Sequence, residues 1–401
     1  MRVVVPGRPP AASFRAQLAL LAVCALVVPA QLYIAIPLRA HLHDGLAAAW
    51  AGSAFAIAYA AGFLVFGPLS ERLGRRRVLV GGLVALTAAT VAVAVAPGPV
   101  AFVAARAAQG LAAASFGPAA LVWVAENAPP ARRGAALAVV TTALIGSGIA
   151  GQLYGTAALA VLDQRWVFAL AAVPYAVLAA ALQLRMDADT PRHPVTLRAV
   201  YRPLLRVVRT APVVSVFLAS LTVFGSFVAL YATLDAHLVG VERFSAADVL
   251  AAEAIGCLGL LAAPALHALP RVPVGPRTQV LLGFGTAAAG ITVAQLMAAG
   301  WVVPVLGSIA YIAGVSLVVP GLVELLARHV PAERAGAVAV NTFMLFVGAS
   351  VAPFLVAGLG YRTTLAVLAG TLLAAAAVVA VGVPARTPHV PLRSDRLVTV
   401  R

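Results

Sequence analysis

The chain has 401 residues, of which 62% are hydrophobic and 10% are charged, and its mean hydropathy is +1.00. Soluble domains contain about a quarter charged residues, so this composition excludes a soluble globular protein and predicts a protein that crosses a membrane several times. The net charge of +15 does not indicate nucleic-acid binding, because the arginines lie between apolar segments and not in one basic patch.

Twelve apolar segments are long enough to cross a bilayer, which requires about 20 residues in a helix. The spans are predicted at 16–37, 47–69, 78–97, 99–124, 134–156 and 164–184, and then at 211–236, 245–267, 278–299, 302–326, 334–358 and 361–383. Ser245 and Asp248 form a predicted capping box at the start of the eighth span. We therefore predict an all-α membrane protein with twelve transmembrane helices in two six-helix halves.

The longest hydrophilic stretch separates the two groups of six spans. It divides the chain into an N-terminal half at 1–184, a cytoplasmic linker at 185–210, a C-terminal half at 211–383 and a cytoplasmic tail at 384–401. The halves also show a weak internal repeat at an offset of 201 residues, which aligns Gly74 and Arg76 with Gly275 and Arg277. The repeat predicts that both halves have the same fold.

The arginines predict the orientation of the chain in the membrane. With the N-terminus inside, Arg39, Arg165, Arg243 and Arg362 fall outside, Arg106 lies within a span, and the remaining arginines fall on cytoplasmic segments. Positive charge is concentrated in the cytoplasmic loops of membrane proteins. We predict a multi-pass protein of the cell membrane, inner or plasma, with both termini in the cytoplasm.

The connection between the second and third spans is short and rich in arginine. It reads Gly67-Pro68-Leu69-Ser70-Glu71-Arg72-Leu73-Gly74-Arg75-Arg76-Arg77. The carboxylate of Glu71 lies between the two glycines, and a run of three arginines follows the second glycine. This pattern resembles the loop between transmembrane helices 2 and 3 of the major facilitator superfamily, with Glu71 in place of the usual aspartate. The resemblance implies a gating loop formed by Gly67, Glu71, Arg72, Gly74, Arg75, Arg76 and Arg77.

The fourth span contains Arg106, Gln109 and Gly110, whose spacing places them on one helix face. An arginine inside a bilayer is costly and faces the bundle interior or a water-filled cavity. The spacing is similar to a second motif of the superfamily and implies a pore-facing cation that responds to protonation or binds an anion. A structural ion pair is the alternative.

The fifth span has Gly146 and Gly151 where proton-coupled antiporters of the superfamily have glycines. It departs from their pattern at Ser147 and Ala150. The match is compatible with antiport, and equally with the close packing of small residues that any helical membrane protein uses.

By the same resemblance, spans 1, 4, 7 and 10 surround a central cavity. Span 7 carries Ser220, Phe224, Phe227, Tyr231 and Asp235 on one face. Such an aromatic stripe binds amphipathic or cationic molecules, or else packs against a neighbouring helix. The predicted substrate-binding residues are Gln31, Tyr33, Arg106, Gln109, Phe224, Phe227, Tyr231, Ser308 and Tyr311.

Acidic residues are rare within the spans, so each is a candidate for proton coupling. Glu253, in span 8, is the first candidate, because a buried carboxylate can alternate between neutral and charged forms. Asp235, near the outer end of span 7, is the second, and Arg106 is expected to take part. His41 and His43, in the first outer loop, are spaced too loosely to predict a metal site.

The segments Gln164-Arg165-Trp166-Val167-Phe168 and Gly225-Ser226-Phe227 look most like the twelve-span drug and sugar efflux branch of the superfamily. This implies a secondary active transporter that exports small amphipathic molecules or drugs in exchange for protons. Uptake or exchange of a small metabolite, such as a sugar or organic anion, and a non-transporting membrane sensor are the alternatives. We expect no enzymatic activity, cofactor, metal or nucleic acid. The expected partners of this monomer are a small-molecule substrate, protons and the lipid bilayer.

Overall fold

The computed structural model describes residues 11–38, 41–129, 133–187, 210–240, 254–263, 274–296, 302–330, 334–356 and 358–384, with the single positions 202, 205, 245, 248, 251 and 266. Every regular element within these residues is a helix. Eight of these helical segments are long and apolar enough to cross a membrane. The predicted all-α membrane fold is therefore confirmed.

The N-terminal part, residues 11–187, contains the first six spans. Helices α1 (Ala11–Val27), α2 (Ala30–Tyr33) and α3 (Ala35–Leu38) form span 1, α4 (Gly45–Leu73) is span 2, α5 (Arg75–Ala94) is span 3, α6 (Pro99–Ala113) and α7 (Phe116–Asn127) form span 4, α8 (Arg133–Leu159) is span 5, and α9 (Gln164–Arg185) is span 6. Most of these helices extend beyond the predicted spans, because polar residues continue a helix past its apolar part.

The C-terminal part, residues 210–384, contains helices at the predicted spans 7, 9, 10, 11 and 12. Its helices are α10 (Ala211–Gly240), α11 (Pro276–Leu296), α12 (Val302–His329), α13 (Arg334–Leu355) and α14 (Tyr361–Gly382), which are spans 7, 9, 10, 11 and 12. The eighth predicted span is described in part, with a 3-10 helix at Cys257–Leu261. At its start, Ser245 and Asp248 make the predicted reciprocal hydrogen bonds of a capping box. The predicted linker lies almost entirely outside the described residues.

The regular hydrogen bonding of spans 1 and 4 is interrupted within the bundle, while the backbone keeps right-handed helical dihedral angles at Pro29, Ile34, Ala114 and Ser115. Span 4 breaks at Ala114 and Ser115, between α6 and α7. Pro118 follows four residues after Ala114, and a proline ring collides with the carbonyl group four residues before it. Span 1 breaks at Val28–Pro29 and again at Ile34.

The loop between spans 2 and 3 is much shorter than the sequence predicts. We expected a turn between the predicted span ends at 69 and 78, but α4 continues to Leu73 and α5 begins at Arg75. Gly74 alone makes the turn, with a φ of 93°. This left-handed backbone conformation favours glycine, because a Cβ would collide with the chain.

Two pairs of equivalent helices in the two parts of the chain begin 201 residues apart. Pro276 begins span 9 and follows Arg75, which begins span 3, by 201 residues. Arg334 begins span 11 and follows Arg133, which begins span 5, by the same number. These positions agree with the offset of the internal repeat in the sequence.

The two parts pack against each other along spans 2 and 11. The Ser53 hydroxyl donates a hydrogen bond to the carbonyl oxygen of Ser350 at 2.9 Å. The Trp50 and Phe354 rings are 5.3 Å apart, and Phe346 is buried in the core of the N-terminal part. Trp50 lies near the start of α4 and the Gly74 turn at its end. We call the end of the bundle near Trp50 the far end and the end at the Gly74 turn the loop end. The Ser53–Ser350 and Trp50–Phe354 contacts lie toward the far end.

Candidate substrate and coupling site

Arg106 is the largest polar group inside the N-terminal part, and its side chain has no exposed surface. Its Nε donates a hydrogen bond to the Ala51 carbonyl oxygen at 2.7 Å, and Nη2 donates to the Gln31 carbonyl oxygen at 2.9 Å. Its Nη1 donates to Gln109 Oε1 at 2.5 Å. Three hydrogen bonds, two of them to main-chain carbonyls, therefore replace water around the cation.

Two aromatic rings complete the surroundings of Arg106. The guanidinium carbon lies 4.9 Å from the ring centroid of Phe55 and 5.6 Å from that of Phe168. Ring faces attract a cation, and the attraction increases when water is excluded. The hydrogen-bond partners of Arg106 among the described residues are neutral groups. The structural ion pair, which the sequence left open as an alternative role for Arg106, is therefore not seen among the described residues.

The network continues from Arg106 through two glutamines. Gln109 Nε2 donates to Gln31 Oε1 and to Thr90 Oγ1, both at 2.9 Å. Gln31 Nε2 donates to the Tyr175 hydroxyl at 2.7 Å. The exposed fraction of these side chains is 2% or less. Side chains from spans 1, 3, 4 and 6 thus satisfy one another in a sealed polar cluster.

The structure brings together Gln31, Arg106 and Gln109, as the sequence predicts, but it does not place them on a cavity surface. All three are inside the N-terminal helix bundle in this conformation. A pore-facing Arg106 is therefore not observed, because the polar groups of neighbouring helices occupy all its recorded hydrogen bonds. Its roles in substrate binding and proton coupling stay predictions.

A second polar cluster joins spans 7 and 10 in the C-terminal part. The hydroxyls of Tyr231 and Ser308 are 2.6 Å apart, and those of Ser226 and Tyr311 are 2.9 Å apart. Tyr311 and Tyr231 have exposed fractions of 0% and 1%. Tyr231, Ser308 and Tyr311 are predicted substrate-binding residues, and in this conformation they are buried and hydrogen-bond between helices.

Three predicted substrate-binding residues remain partly exposed: Tyr33, Phe224 and Phe227. The Phe227 ring lies 4.8 Å from Tyr231 and meets Tyr33 edge to face at 6.0 Å. Phe224 meets Phe346 at 5.1 Å. Tyr33 belongs to span 1 and Phe227 to span 7, so an accessible aromatic surface lies where the two parts of the chain meet.

Sequence reasoning missed several residues of these clusters. Thr90 and Tyr175 are polar side chains within apolar spans, and that signal could have identified them as members of an interhelical network. Ser53 and Phe346 carry no such signal, because serine and phenylalanine are ordinary residues of a membrane helix. Only the packing of spans 2 and 11 shows that they connect the two parts.

The predicted gating loop makes contacts through its arginines. Arg75 donates from Nη1 to the Ser70 carbonyl oxygen at 2.8 Å and from Nη2 to Glu126 Oε1 at 3.1 Å. Arg76 donates a hydrogen bond to the Gln183 carbonyl oxygen at the end of span 6. These bonds fasten the turn to the ends of spans 4 and 6.

The other predicted loop residues lie in different surroundings, and Gly74 forms the turn itself. Arg72 and Arg77 are exposed, Gly67 lies within α4, and the side chain of Glu71 lies outside the described residues. The gating function of the loop stays a prediction.

The predicted coupling acids are not among the side chains that the structure describes. Glu253 lies outside the described residues, and the side chain of Asp235 is likewise not described. Among the described residues, no group of three or more histidines, cysteines or carboxylates is arranged to hold a metal ion. Asp44, beside His43, accepts a hydrogen bond from the Ala47 amide at 2.9 Å and caps α4.

The sequence profile of the Major Facilitator Superfamily matches residues 18–353, which is most of the chain. The chain belongs to the Major Facilitator Superfamily. It is a multi-pass membrane protein, in a family of transporters and not of enzymes.

Two curated relatives of this superfamily member match over part of its length. It is 31% identical over 145 residues, 36% of the chain, to an uncharacterized MFS-type transporter, Rv1250, of Mycobacterium tuberculosis. It is 32% identical over 146 residues, also 36% of the chain, to the cephamycin export protein CmcT of Amycolatopsis lactamdurans. The matched segments span 25% and 30% of the length of these two relatives.

Solved structures with the same fold include a bacterial homologue of the human lysosomal transporter Spinster. Its inward-facing unoccupied form matches with a TM-score of 0.65 and 14% identity, over 93% of this chain and 96% of that chain. The inward-facing occupied form gives a TM-score of 0.70 and 16% identity, over 94% and 97%. At this identity the likeness establishes the fold alone.

Proposed function

We propose that this transporter exports small amphipathic molecules across the cell membrane in exchange for protons. The observation that carries the proposal is the partly exposed aromatic surface of Tyr33, Phe224 and Phe227 between spans 1 and 7. Aromatic faces bind apolar rings and also attract cations. A surface of this kind, between two parts of a bundle that rock against each other, suits a substrate with a ring and a polar or cationic group.

The direction of transport is supported by one relative and by the contacts between the two parts. The cephamycin export protein, to which a segment of the chain is 32% identical, is by its name an exporter. With the N-terminus inside, the far end of the bundle faces outward. The Ser53–Ser350 hydrogen bond and the Trp50–Phe354 contact then close the outer side, so a substrate would enter from the cytoplasm.

Proton coupling is proposed for Arg106, Glu253 and Asp235. The buried Arg106 cation is hydrogen-bonded to neutral groups. Because charges interact strongly where water is excluded, a nearby carboxylate that gains or loses a proton would change the electrostatic energy of this cation. Glu253 is the first candidate for that carboxylate and Asp235 the second. The arginine loop at Gly74 would lie on the cytoplasmic side and control the inner gate.

The test is accumulation of fluorescent dyes and antibiotics in a bacterial host that lacks its own efflux pumps. The native chain is compared with Phe227→Leu and Glu253→Gln at matched expression, with and without a protonophore. Leu218→Ala is the matched control, because Leu218 lies on the same helix as Phe227 but is 52% exposed on its outer surface.

We expect the native chain and Leu218→Ala to lower accumulation in a manner that the protonophore abolishes, and both other variants to fail. Export that survives the protonophore would remove proton coupling from the proposal. Normal export by Glu253→Gln would exclude Glu253 and leave Asp235 as the candidate acid. If no compound responds, multidrug export is wrong and uptake or exchange of a dedicated metabolite becomes the leading function.

A further inference from the structure

Span 1 contains a four-residue helix between two breaks. Helix α1 ends at Val27, α2 comprises only Ala30–Tyr33, and α3 begins at Ala35. Pro29 stands at the first break and has no amide hydrogen to donate. Breaks in a transmembrane helix release carbonyl groups that need new hydrogen-bond donors, and other helices commonly supply them.

Two carbonyl groups of span 1 receive a donor from another span. The Tyr175 hydroxyl, from span 6, donates to the Val27 carbonyl oxygen at 2.9 Å, just before the first break. Arg106, from span 4, donates to the Gln31 carbonyl oxygen at 2.9 Å, within the short helix. The Gln31 side chain links the two donors: its Nε2 donates to the Tyr175 hydroxyl at 2.7 Å, and its Oε1 accepts from Gln109, which in turn accepts from Arg106. The Ala30–Tyr33 segment is therefore tied to the buried polar network on one side.

On another side, the Ala30–Tyr33 segment packs against glycines of span 5, which have no side chain. A Cβ atom added to Gly151 would come within 2.2 Å of the Ala30 carbonyl oxygen. A Cβ added to Gly148 would lie 3.6 Å from the Tyr33 ring. The segment thus occupies a groove that exists because residue 151 has no side chain.

The end of the segment reaches the other part of the protein. The Tyr33 ring meets the Phe227 ring edge to face, with centroids 6.0 Å apart and planes inclined at 79°. Both rings are partly exposed. Two residues before Tyr33, Gln31 is 1% exposed and bonded to the network of Arg106. One short helix therefore connects the accessible aromatic surface with the sealed cation.

We propose that the Ala30–Tyr33 segment transmits substrate binding to Arg106. A planar aromatic ligand that inserts between Tyr33 and Phe227 must move Tyr33, and Gln31 moves with it because both residues belong to the same short helix. Gln31 then shifts relative to Tyr175 and Arg106, which changes the hydrogen bonds of the cation. Gln31 and Tyr175 are positioning residues in this scheme, and the ligand does not touch Tyr175.

This inference rests on the proposed function for the class of ligand, and binding of the planar aromatic cation ethidium to the purified full chain tests it. The dissociation constant is measured by fluorescence for the native protein, Tyr33→Leu, Tyr175→Phe and the double variant. We expect Tyr175→Phe to weaken binding at least threefold, and to have no further effect when Tyr33 is already leucine. Such non-additivity is the mark of two residues that act through a shared element.

Tyr154→Phe is the matched control, because it also deletes one hydroxyl, which bonds the Val167 carbonyl oxygen and not span 1. It should leave ethidium binding unchanged. Effects of Tyr175→Phe and Tyr33→Leu that simply multiply would overturn the proposal, as would normal binding by Tyr175→Phe. A purely structural role of Tyr175 would lower stability without this non-additivity.

Hydrogen exchange of the amides at 30–35 tests the same connection without any ligand. Tyr175→Phe and Phe227→Leu should each speed exchange in this segment, and Tyr154→Phe should not. If the Phe227→Leu variant exchanged these amide hydrogens at the native rate, the proposal would be overturned, even if the native protein proved to be an exporter. If native protein binds no ethidium while both variants speed exchange, the proposed substrate class fails and the coupling segment stands.

Discussion

Arg76 and Arg277 make equivalent contacts in the two parts of the protein. Arg76 donates to the Gln183 carbonyl oxygen near the end of span 6. Arg277 donates to the Val383 and Ala380 carbonyl oxygens at the end of span 12, at 2.8 and 2.7 Å. The last carbonyls of a helix have no partner within it and carry partial negative charge, so a cation there is stabilising. The internal repeat has therefore kept a contact as well as a residue type.

Removing Arg277 should destabilise the C-terminal part. Arg277→Ala leaves two carbonyls at the end of α14 without their donor, which costs about 1–3 kcal/mol in the free energy of unfolding. Thermal unfolding of the purified protein in detergent measures the loss. Arg72→Ala is the control, because Arg72 is exposed and its substitution should change stability by about 0.5 kcal/mol or less. Equal midpoints for the two variants would show that the equivalent contact contributes nothing.

Alanine should be tolerated at one glycine of span 5 and not at another. In Gly151→Ala the new Cβ meets the Ala30 carbonyl oxygen at 2.2 Å, so spans 1 and 5 must separate, at a cost of about 1–3 kcal/mol for overpacking. In Gly146→Ala the Cβ lies 3.5 Å from Leu26 Cδ1, which is an ordinary contact. The yield of monodisperse protein on size exclusion should fall for Gly151→Ala alone. A well-behaved Gly151→Ala variant would contradict the close packing of these spans.

Substitution of Arg106 separates its structural and coupling roles. Arg106→Ala leaves the Ala51 and Gln31 carbonyls and the Gln109 side chain without their donor, each at a cost of about 1–3 kcal/mol. We therefore expect much less folded protein than for Arg165→Ala, whose parent residue is exposed at the start of span 6. Fluorescence-detected size exclusion gives the amounts. A variant that folds at the native level but transports nothing would assign Arg106 to coupling and not to stability.

Ser53 should favour the conformation in which the far end is closed. Ser53→Ala removes the hydrogen bond to Ser350, so the far end should open about 2- to 10-fold more often, which corresponds to about 0.5–1.5 kcal/mol. The measurement is the rate of disulfide formation between cysteines placed at Trp50 and Phe354, whose rings are 5.3 Å apart, with Cys24 and Cys257 replaced by serine.

Ser147→Ala serves as the control for Ser53→Ala, because the Ser147 hydroxyl bonds the Leu144 carbonyl oxygen of its own helix. Cross-linking should slow for Ser53→Ala and keep its native rate for Ser147→Ala. An unchanged rate in both would mean that the aromatic contacts of Phe346 alone hold the far end closed.

Much of the fold was predictable, and much less of the site. Apolar length located the spans because a bilayer requires it, and Gly74 identified the turn even though the helices extend closer to it than expected. The sequence did not show which polar residues are buried inside the helix bundle and which reach an accessible surface. Gln31 and Tyr33 are two residues apart on one short helix, yet one is sealed among spans 1, 3, 4 and 6 and the other reaches Phe227. The spacing of residues predicts which side chains share one face of a helix, but it does not predict which neighbouring helix packs against that face.

The sequence by itself determined that this chain crosses the membrane repeatedly and belongs to a family of transporters, because hydropathy and the arginine loop are local properties. It also indicated that Arg106 faces the bundle interior or a water-filled cavity, because a charge in contact with lipid is costly. Only the tertiary structure decided between the two: Arg106 lies in the interior, bonded to carbonyls of Ala51 and Gln31, made available where spans 1 and 2 approach span 4. Partners 55 and 75 residues away along the chain are selected by helix packing, which no local pattern encodes.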